Sequence, residues 1–318
     1  MNPTSQDVAN RAGVSRSTVS QILNGRAHYF TEETRTRVAS AVVELGYEPS
    51  SAARTLARGS SDVVIALIPN TTFGHNLQDI YGSLTDELAK RGLTLVLRLA
   101  GSDAASLDRL IKGLSPRAII SLMRLPEPQR LVVERQGVDL LEPTESLALD
   151  SNAQIGAFQA RYLIDRGYRR LAFAHLQDTR NDPFGGPRET LFAAECASAG
   201  LEAPRILHLS ITVQGARAAL DSLSEPGFAV GCYNDEVASA LLFAAHERGW
   251  RIPDDLALIG MDDTPLARFT APPLTTVGYD AEEATRASLE QLLSLLDKGR
   301  EPEIHPRFDV HIVEGGTT

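Results

Sequence analysis

The stretch "TSQDVANRAGVSRSTVSQILNG", Thr4 to Gly25, holds two short helical patterns on either side of the turn signal Gly13-Val14-Ser15. Thr4 is a natural N-cap with Asp7 three residues on, a variant of the capping box, so a first helix runs through Val8 and Ala9 to Ala12. Gly13 supplies the positive φ that a tight turn needs. Ser15 caps a second helix, from Arg16 to about Leu23, with Gly25 as its stop. Ala9 is small enough for the two helices to cross closely, and Val19 falls in the seam between them. That spacing is the helix-turn-helix pattern, whose second helix enters the DNA major groove.

Thr31 caps a third helix, and Glu32 and Glu33 suit its first turn through the helix dipole. Val38, Ala41, Val42 and Leu45 form one apolar stripe, and Gly46 ends the helix. Three small helices then share a mini-core over residues 1–48. The segment 49–60, "EPSSAARTLARGSS" from Glu48 onward, starts with Pro49. It predicts either a plain linker or a helix of about two turns, too short to stand alone in water. Such a helix exposes Ala52, Ala53 and Leu56, with Arg54 and Arg58 nearby.

The chain of 318 residues carries a formal charge of -10, with 43% hydrophobic and 23% charged residues. That composition belongs to a soluble globular protein of two or three domains. No apolar run reaches the roughly 18 residues of a membrane helix. The N-terminal "MNPTSQDVAN" has no apolar signal core, so a cytoplasmic location is expected. Cys196 and Cys232 lack metal-ligand spacing and read as structural thiols. The charge is uneven: seven arginines against five carboxylates leave residues 1–60 at +2 and the remainder at −12. A mildly basic head on an acidic body suits local phosphate contact and argues against coating of nucleic acid by the whole molecule.

From Val63 the rhythm changes to alternating strands and helices, the mark of doubly wound α/β layers. "VVIALIP", "LTLVLRL", "RAIIS" and the apolar "SLALD" read as strands, separated by amphipathic stretches. The pattern restarts after Asp150 with "RRLAFAH", "RILHL", "AVGCY" and "LALIGMDD", and ends in a long helix carrying Leu289, Leu292, Leu293 and Leu296. The expected architecture is an all-α helix-turn-helix head plus an α/β body of two doubly wound parallel-sheet lobes. Ligands bind outside the carboxyl ends of parallel strands, so polar residues just after predicted strands are candidates. Asp150, Asn234, Asp235, Asp262 and Asp263 stand there, and Arg188 opens the helix after "DPFGG". Asn234 and Asp235 have a second reading, as caps of the following helix.

"DVANRAGVSRSTVSQILNG", "TRTRVASAVVELGYEPSSAARTLARGSS", "GYRRLAFAH", "NDEVASALLFAAHERGWRIPDDLALIGMDD" and "PPLTTV" stand in one order along the chain. Together they resemble the lactose-repressor (LacI/GalR) family of bacterial transcription regulators, over nearly the whole chain. The resemblance implies a body of periplasmic-binding-protein type. It divides the chain into 1–48, a hinge at 49–60 and a body at 61–318. The body's lobes fall at about 61–152 plus 280–302 and 153–279 plus 303–318, because the long late helix returns to the first lobe.

The resemblance also implies that Arg16, Ser17 and Gln21 read base edges, Thr18 and Asn24 steady backbone contacts, and His28 lies in a loop touching DNA. Leu56, with Ala53 on the same hinge, matches the leucine that wedges into the minor groove and bends the duplex. Many relatives carry Arg at the Gln21 position. Arg pairs with guanine and Gln with adenine, so the operator changes with it. Arg188, Asn234 and Asp262 match positions that hold polar groups of a small-molecule effector, a sugar or other polar metabolite. Phe73, His75 and Asp150 complete that set. Here His75 and Asn76 stand where the family shows two aromatics, Leu191 where a Gly is common, and the register at Asp150 is shifted by about one, toward Ser151 or Asn152.

The chain carries no P-loop, G-x-S-x-G, metal-spaced His pair or strand-borne G-x-G-x-x-G. Adjacent Asp262 and Asp263 do not make an opposed acid and base. No enzyme, metal or cofactor is expected. The expected molecule is a homodimeric repressor on double-stranded operator DNA, without membrane attachment. Its tail "HIVEGGTT" has no leucine heptad to make a tetramer. The alternative is a small-molecule (sugar) binding protein without regulatory DNA binding.

Overall fold

Thr4 accepts from the backbone N–H of Asp7 while the Asp7 carboxylate accepts from the Thr4 N–H, so both ends of the capping box form at the start of α1 (Ser5–Ala12). The structure is a computed structural model. It describes residues 3–47, 55, 59–68, 75–99, 101, 103–121, 123–142, 145–177, 184–298 and 310–318. Gly13 sits at φ +67 and turns the chain toward α2 (Arg16–Gln21), whose N-cap Ser15 accepts from Thr18 N–H at 3.0 Å. Gly25 takes the positive φ of a stop, +85, where the sequence predicted one. α2 widens into a π turn, Ile22–Arg26, and passes into one 3-10 turn, Ala27–Tyr29. α3 (Glu32–Leu45) follows, capped by Thr31 and ended at Gly46. Val8, Ala9, Ala12, Val19, Val38 and Ala41 close the mini-core, with Ala9 and Val19 fully buried as the crossing requires.

The first α/β unit has four parallel strands in the order β2-β1-β3-β4: β1 (Val63–Ile68), β2 (Thr94–Leu99), β3 (Ala118–Ser121) and β4 (Asp139–Leu141). Its connecting helices are α4 (His75–Ala89), α5 (Ala104–Leu114) and α6 (Glu127–Gln136). β1 is apolar on both sides because both are covered, as in parallel sheets generally. Val64, Ala66 and Ile68 pack toward Ile80, Tyr81, Leu84 and Leu88 of α4, while Ile65 and Leu67 pack toward Leu107, Ile111, Val132 and Val133 of α5 and α6.

The strand expected at "SLALD" is absent. Residues 145–165 form one helix, α7 (Glu145–Asp165), and the fourth strand is the short "DLL" before it. A short apolar run cannot be told from a helical segment by periodicity alone. The longer run decides it: Ala153, Ala157, Ala160 and Leu163, all buried, recur at helical spacing. Asp150 therefore lies within α7 rather than after a strand.

The second unit has six strands in the order β10-β9-β8-β7-β5-β6. These are β5 (Leu171–Leu176), β6 (Arg205–Leu209), β7 (Phe228–Cys232), β8 (Leu256–Met261), β9 (Thr275–Tyr279) and β10 (Val310–Val313). All pairs are parallel except β10 on β9, an antiparallel edge inside the tail that the sequence reading left without structure. The helices α8 (Gly185–Ser198), α9 (Val213–Leu223) and α10 (Asp235–Arg248) alternate with the strands. α7 and α8 cover one face, α9 and α10 the other. The last helix, α11 (Ala281–Lys298), packs on α4 of the first unit, with Leu292 fully buried in that unit's core. The fold is thus a helical head followed by two parallel-sheet α/β units.

Candidate nucleic-acid interface and ligand site

On the head, Arg16, Ser17, Ser20 and Gln21 are exposed along α2, while Val19 is turned into the core. The helix reads outward because its apolar position comes once per turn and the polar ones fill the remainder. Its first turn is fixed by short side-chain bonds: Ser15 Oγ lies 2.8 Å from both Ser17 Oγ and Thr18 Oγ1. Thr18 is half-buried, with its hydroxyl in the cap. Arg16 donates from Nε to Ser5 Oγ at 3.1 Å, which joins the N-terminal ends of α1 and α2 on one side of the head. The Arg11–Glu44 pair, 2.7 Å, joins α1 to α3 elsewhere. His28 is exposed on the 3-10 turn. Ala53 and Leu56 lie outside the described residues, as does the side chain of Asn24. Thr55 between them is helical and accepts from Gly59 N–H at 2.8 Å.

In the second unit the chain order reverses between β5 and β7, the switch point at which open α/β sheets leave a crevice. Arg188, in the first turn of α8, spans that point. It is 8% exposed and donates from Nη1 to the carbonyl of Tyr233, just past β7, at 2.8 Å. Its guanidinium lies 5.1 Å from the Tyr233 ring centre and 5.9 Å from that of Phe184, so two aromatic faces hold the cation. α7 has a glycine, Gly156, where it crosses α8. A methyl group there would run into the backbone of Arg188, so the close crossing sets where the arginine stands.

Asn234 and Asp235 divide between them the roles that the sequence left open. Asn234 is the cap of α10, its Oδ1 accepting from Val237 N–H at 3.0 Å. Asp235 is not a cap. It is 1% exposed and accepts from Thr276 Oγ1 at 2.6 Å and from Thr264 N–H and Oγ1 at 2.7 and 3.0 Å. Burial pushes its carboxyl above the ordinary value, and those three donors pull back against that shift. The carboxylate fits because residue 260 is glycine; a Cβ there would strike Asp235 Oδ1.

Asp235 thereby anchors the loop that carries Asp262 and Asp263. Both stand in the positive-φ region, at +104 and +42, a costly conformation for non-glycine residues that surrounding contacts must impose. Asp262 N–H donates to Val277 O at 2.9 Å, and Asp263 pairs with Arg268 at 3.2 Å. From the other side, fully buried Gln159 of α7 donates to the carbonyls of Cys232 and Gly260, each at 2.9 Å. It bridges the ends of β7 and β8 beyond their last paired residues, Gly231 and Ile259.

Arg188, Asn234 and Asp262 are thus carried on adjacent carboxyl ends, with Tyr233 beside them. Phe73 lies outside the described residues, as do the side chains of His75 and Asp150. Phe184, Tyr233 and Gln159 were missed, and Asp235, named as a candidate or a cap, is neither a cap nor at the surface. Tyr233 is the first residue past β7 and was within reach of the same rule. Gln159 sits in an apolar helix face where sequence alone shows no purpose. Both cysteines are buried, and burial pushes the Cys196 thiol up to about 11.

Residues 4–50 match the family model "Bacterial regulatory proteins, lacI family", and residues 160–318 match "Periplasmic binding protein-like domain". The HTH-type transcriptional repressor PurR of Klebsiella pneumoniae (strain 342) is 30% identical over 336 residues, covering 96% of this chain and 95% of that protein. The PurR of Erwinia tasmaniensis is also 30% identical, over 95% and 94%. Among solved structures, the lac repressor dimer bound to operator and the anti-inducer ONPF superposes with a TM-score of 0.76 at 21% identity, over 100% of this chain and 99% of that one. The regulator CelR in complex with cellobiose superposes at 0.66 and 23%, over 99% and 100%. With a head, a body and full-length relatives that agree, the chain belongs to the LacI family of bacterial regulatory proteins.

Proposed function

We propose that this protein is a sequence-specific transcription repressor whose affinity for its operator is set by a small polar metabolite bound at the carboxyl ends of the body's strands. The observation that carries the reading is the exposed, Ser15-capped α2 of the helix-turn-helix, in one chain with an α/β body that gathers Arg188, Tyr233, Asn234 and Asp262. Arg16, Ser17 and Gln21 read bases, Thr18, Asn24 and His28 hold the backbone, and Ala53 and Leu56 engage the minor groove. Arg188, Asn234 and Asp262, with Phe73, His75 and Asp150 from the first unit's side, contact the effector. A guanidinium and carboxylates together suit a ligand with hydroxyl, amide or acidic groups.

The working unit is a homodimer, since two heads on a near-palindromic site match a two-fold protein. The lobe division stands at about 61–152 plus 280–302 against 153–279 plus 303–318, supported by the return of α11 to α4. No catalysis enters this reading, and its site of action is the cytoplasm. No described helix is long and apolar enough to cross a membrane. Selection of bound sites from random duplexes by the full-length protein tests the proposal. A near-palindromic consensus is expected, with binding altered by one class of metabolite; enrichment of no sequence would sink it.

A further inference from the structure

Gln159 is a fully buried polar residue on the apolar face of α7, and its amide is oriented by what it touches. Nε2 donates to the carbonyls of Cys232 and Gly260, each at 2.9 Å, and reaches that of Ile259 at 3.4 Å. Turning the amide over would set its oxygen against the same carbonyl oxygens. Oε1 stays buried, with no hydrogen-bond partner among the described residues. A buried acceptor left unmet costs stability, and an apolar side chain of similar volume would fill the space without that cost. Natural sequences break such local rules at functional sites.

What the amide joins supplies the reason. β7 and β8 stop pairing at Gly231 and Ile259. Just beyond stand Tyr233 and Asn234 on one strand end and Asp262 on the other. One turn before Gln159, Gly156 lies against the backbone of Arg188. α7 itself follows β4, the last strand of the first unit, and precedes β5, the first of the second. Gln159 is therefore a non-covalent tie between the helix that connects the two units and the strand ends that carry Asn234 and Asp262.

We infer that Gln159 is a positioning residue that couples the effector site to the operator. It acts through Asn234 and Asp262, by holding the ends of β7 and β8 to α7, and touches no ligand itself. The inference rests on the proposed reading of the body as the sensing half of a repressor, in which operator and effector change each other's affinity by the same factor.

The test uses full-length protein and takes the duplex obtained by site selection as its probe. Amide hydrogen exchange is followed over residues 233–237 and 261–264, with and without saturating duplex. In the wild type the duplex is expected to change exchange there by about fivefold or more, the lower end of allosteric coupling. Gln159→Met keeps the length of the side chain and removes its donors. Free Gln159→Met should exchange about tenfold faster over 261–264, for the loss of two buried hydrogen bonds. The duplex should no longer change that rate, while α1 and α3 gain the same protection from it in both proteins. Gln159→Glu should regain part of the response as pH falls from about 8 to 5, because only the protonated acid donates to a carbonyl. A response of wild-type size in Gln159→Met, or one in Gln159→Glu that ignores pH, would overturn the inference. So would a loss of protection throughout the second unit in Gln159→Met, which would leave the residue a packing role alone. A wild type whose head is protected by the duplex while its body ignores it would instead overturn the proposed coupling on which the inference rests.

Discussion

Gln21 and Asp235 show how much one side chain decides in this molecule. Gln21 is exposed on α2, and in the proposed reading its amide meets an adenine edge, which pairs two hydrogen bonds with Gln as guanine does with Arg. Gln21→Arg should move the preferred base from adenine to guanine at one symmetric position per half-site, a change of about 1–3 kcal/mol in discrimination. Selected-site sequencing reads this directly, and identical motifs from both proteins would refute it. Asp235 acts inside the protein. Its folded-state carboxyl holds its proton more tightly than an unfolded one, because burial penalises the charge. Its contribution to stability is therefore greatest at acid pH and declines as pH rises through the raised value. Asn at 235 carries no titrating proton. Asp235→Asn should then gain thermal stability relative to wild type as pH climbs from about 4 toward neutrality. Melting curves showing a difference that does not vary with pH would contradict the assignment.

At the scale of elements, the strongest local signals were the most faithful. Thr4 with Asp7, Ser15 and Thr31 each announced a helix start, and each caps one, while of the two candidates Asn234 and Asp235 it is Asn234 that caps. The buried strands β1, β5 and β8 were legible as apolar runs because both faces of a parallel sheet are covered. What failed was legible only in three dimensions. "SLALD" and "DLL" compete for one strand slot, and only the neighbouring α7 settles which takes it. The role of Asp235 depends on Thr264 and Thr276, far along the chain, and on the bare backbone of Gly260. Element α11 is the case where a pattern was right and its destination came from resemblance alone. Leu292 fills the first unit's core beside Tyr81, Leu84 and Leu88. Leu292→Ala should cost that unit about 2–5 kcal/mol. Hydrogen exchange is expected to rise in β1 and α4 and to stay unchanged in β5 and β7; uniform loss of protection would mean that the two units do not open separately.

For the whole molecule, the proposed dimer needs a seam. Leu266 and Phe269 are 74% and 82% exposed on the single 3-10 turn that follows the Asp262–Asp263 loop, while Ala267 between them is buried. Phe243 of α10 is also exposed. A seam there adjoins the loop held by Asp235, so an effector at Asp262 would act close to the partner subunit. Phe269→Glu should yield monomers by sedimentation and reduce operator affinity by at least tenfold, since one head makes half of the contacts. A dimer of normal affinity would place the seam elsewhere.

The return of α11 to α4 has a further consequence. Arg117, beside β3, donates to the carbonyl of Leu296, 179 positions later in the chain. A ribosome makes the head first and the first unit's strands next, but the helix that shares with α4 the cover of one face of those strands emerges only after most of the second unit. Domains fold as they are made, and exposed apolar surface in a waiting intermediate invites aggregation. During synthesis the DNA-reading head can therefore be complete while the sensing body still lacks the part of its core that Leu292 fills. Nascent chains stalled before and after residue 298 should differ in protease resistance at β1 and not at α1.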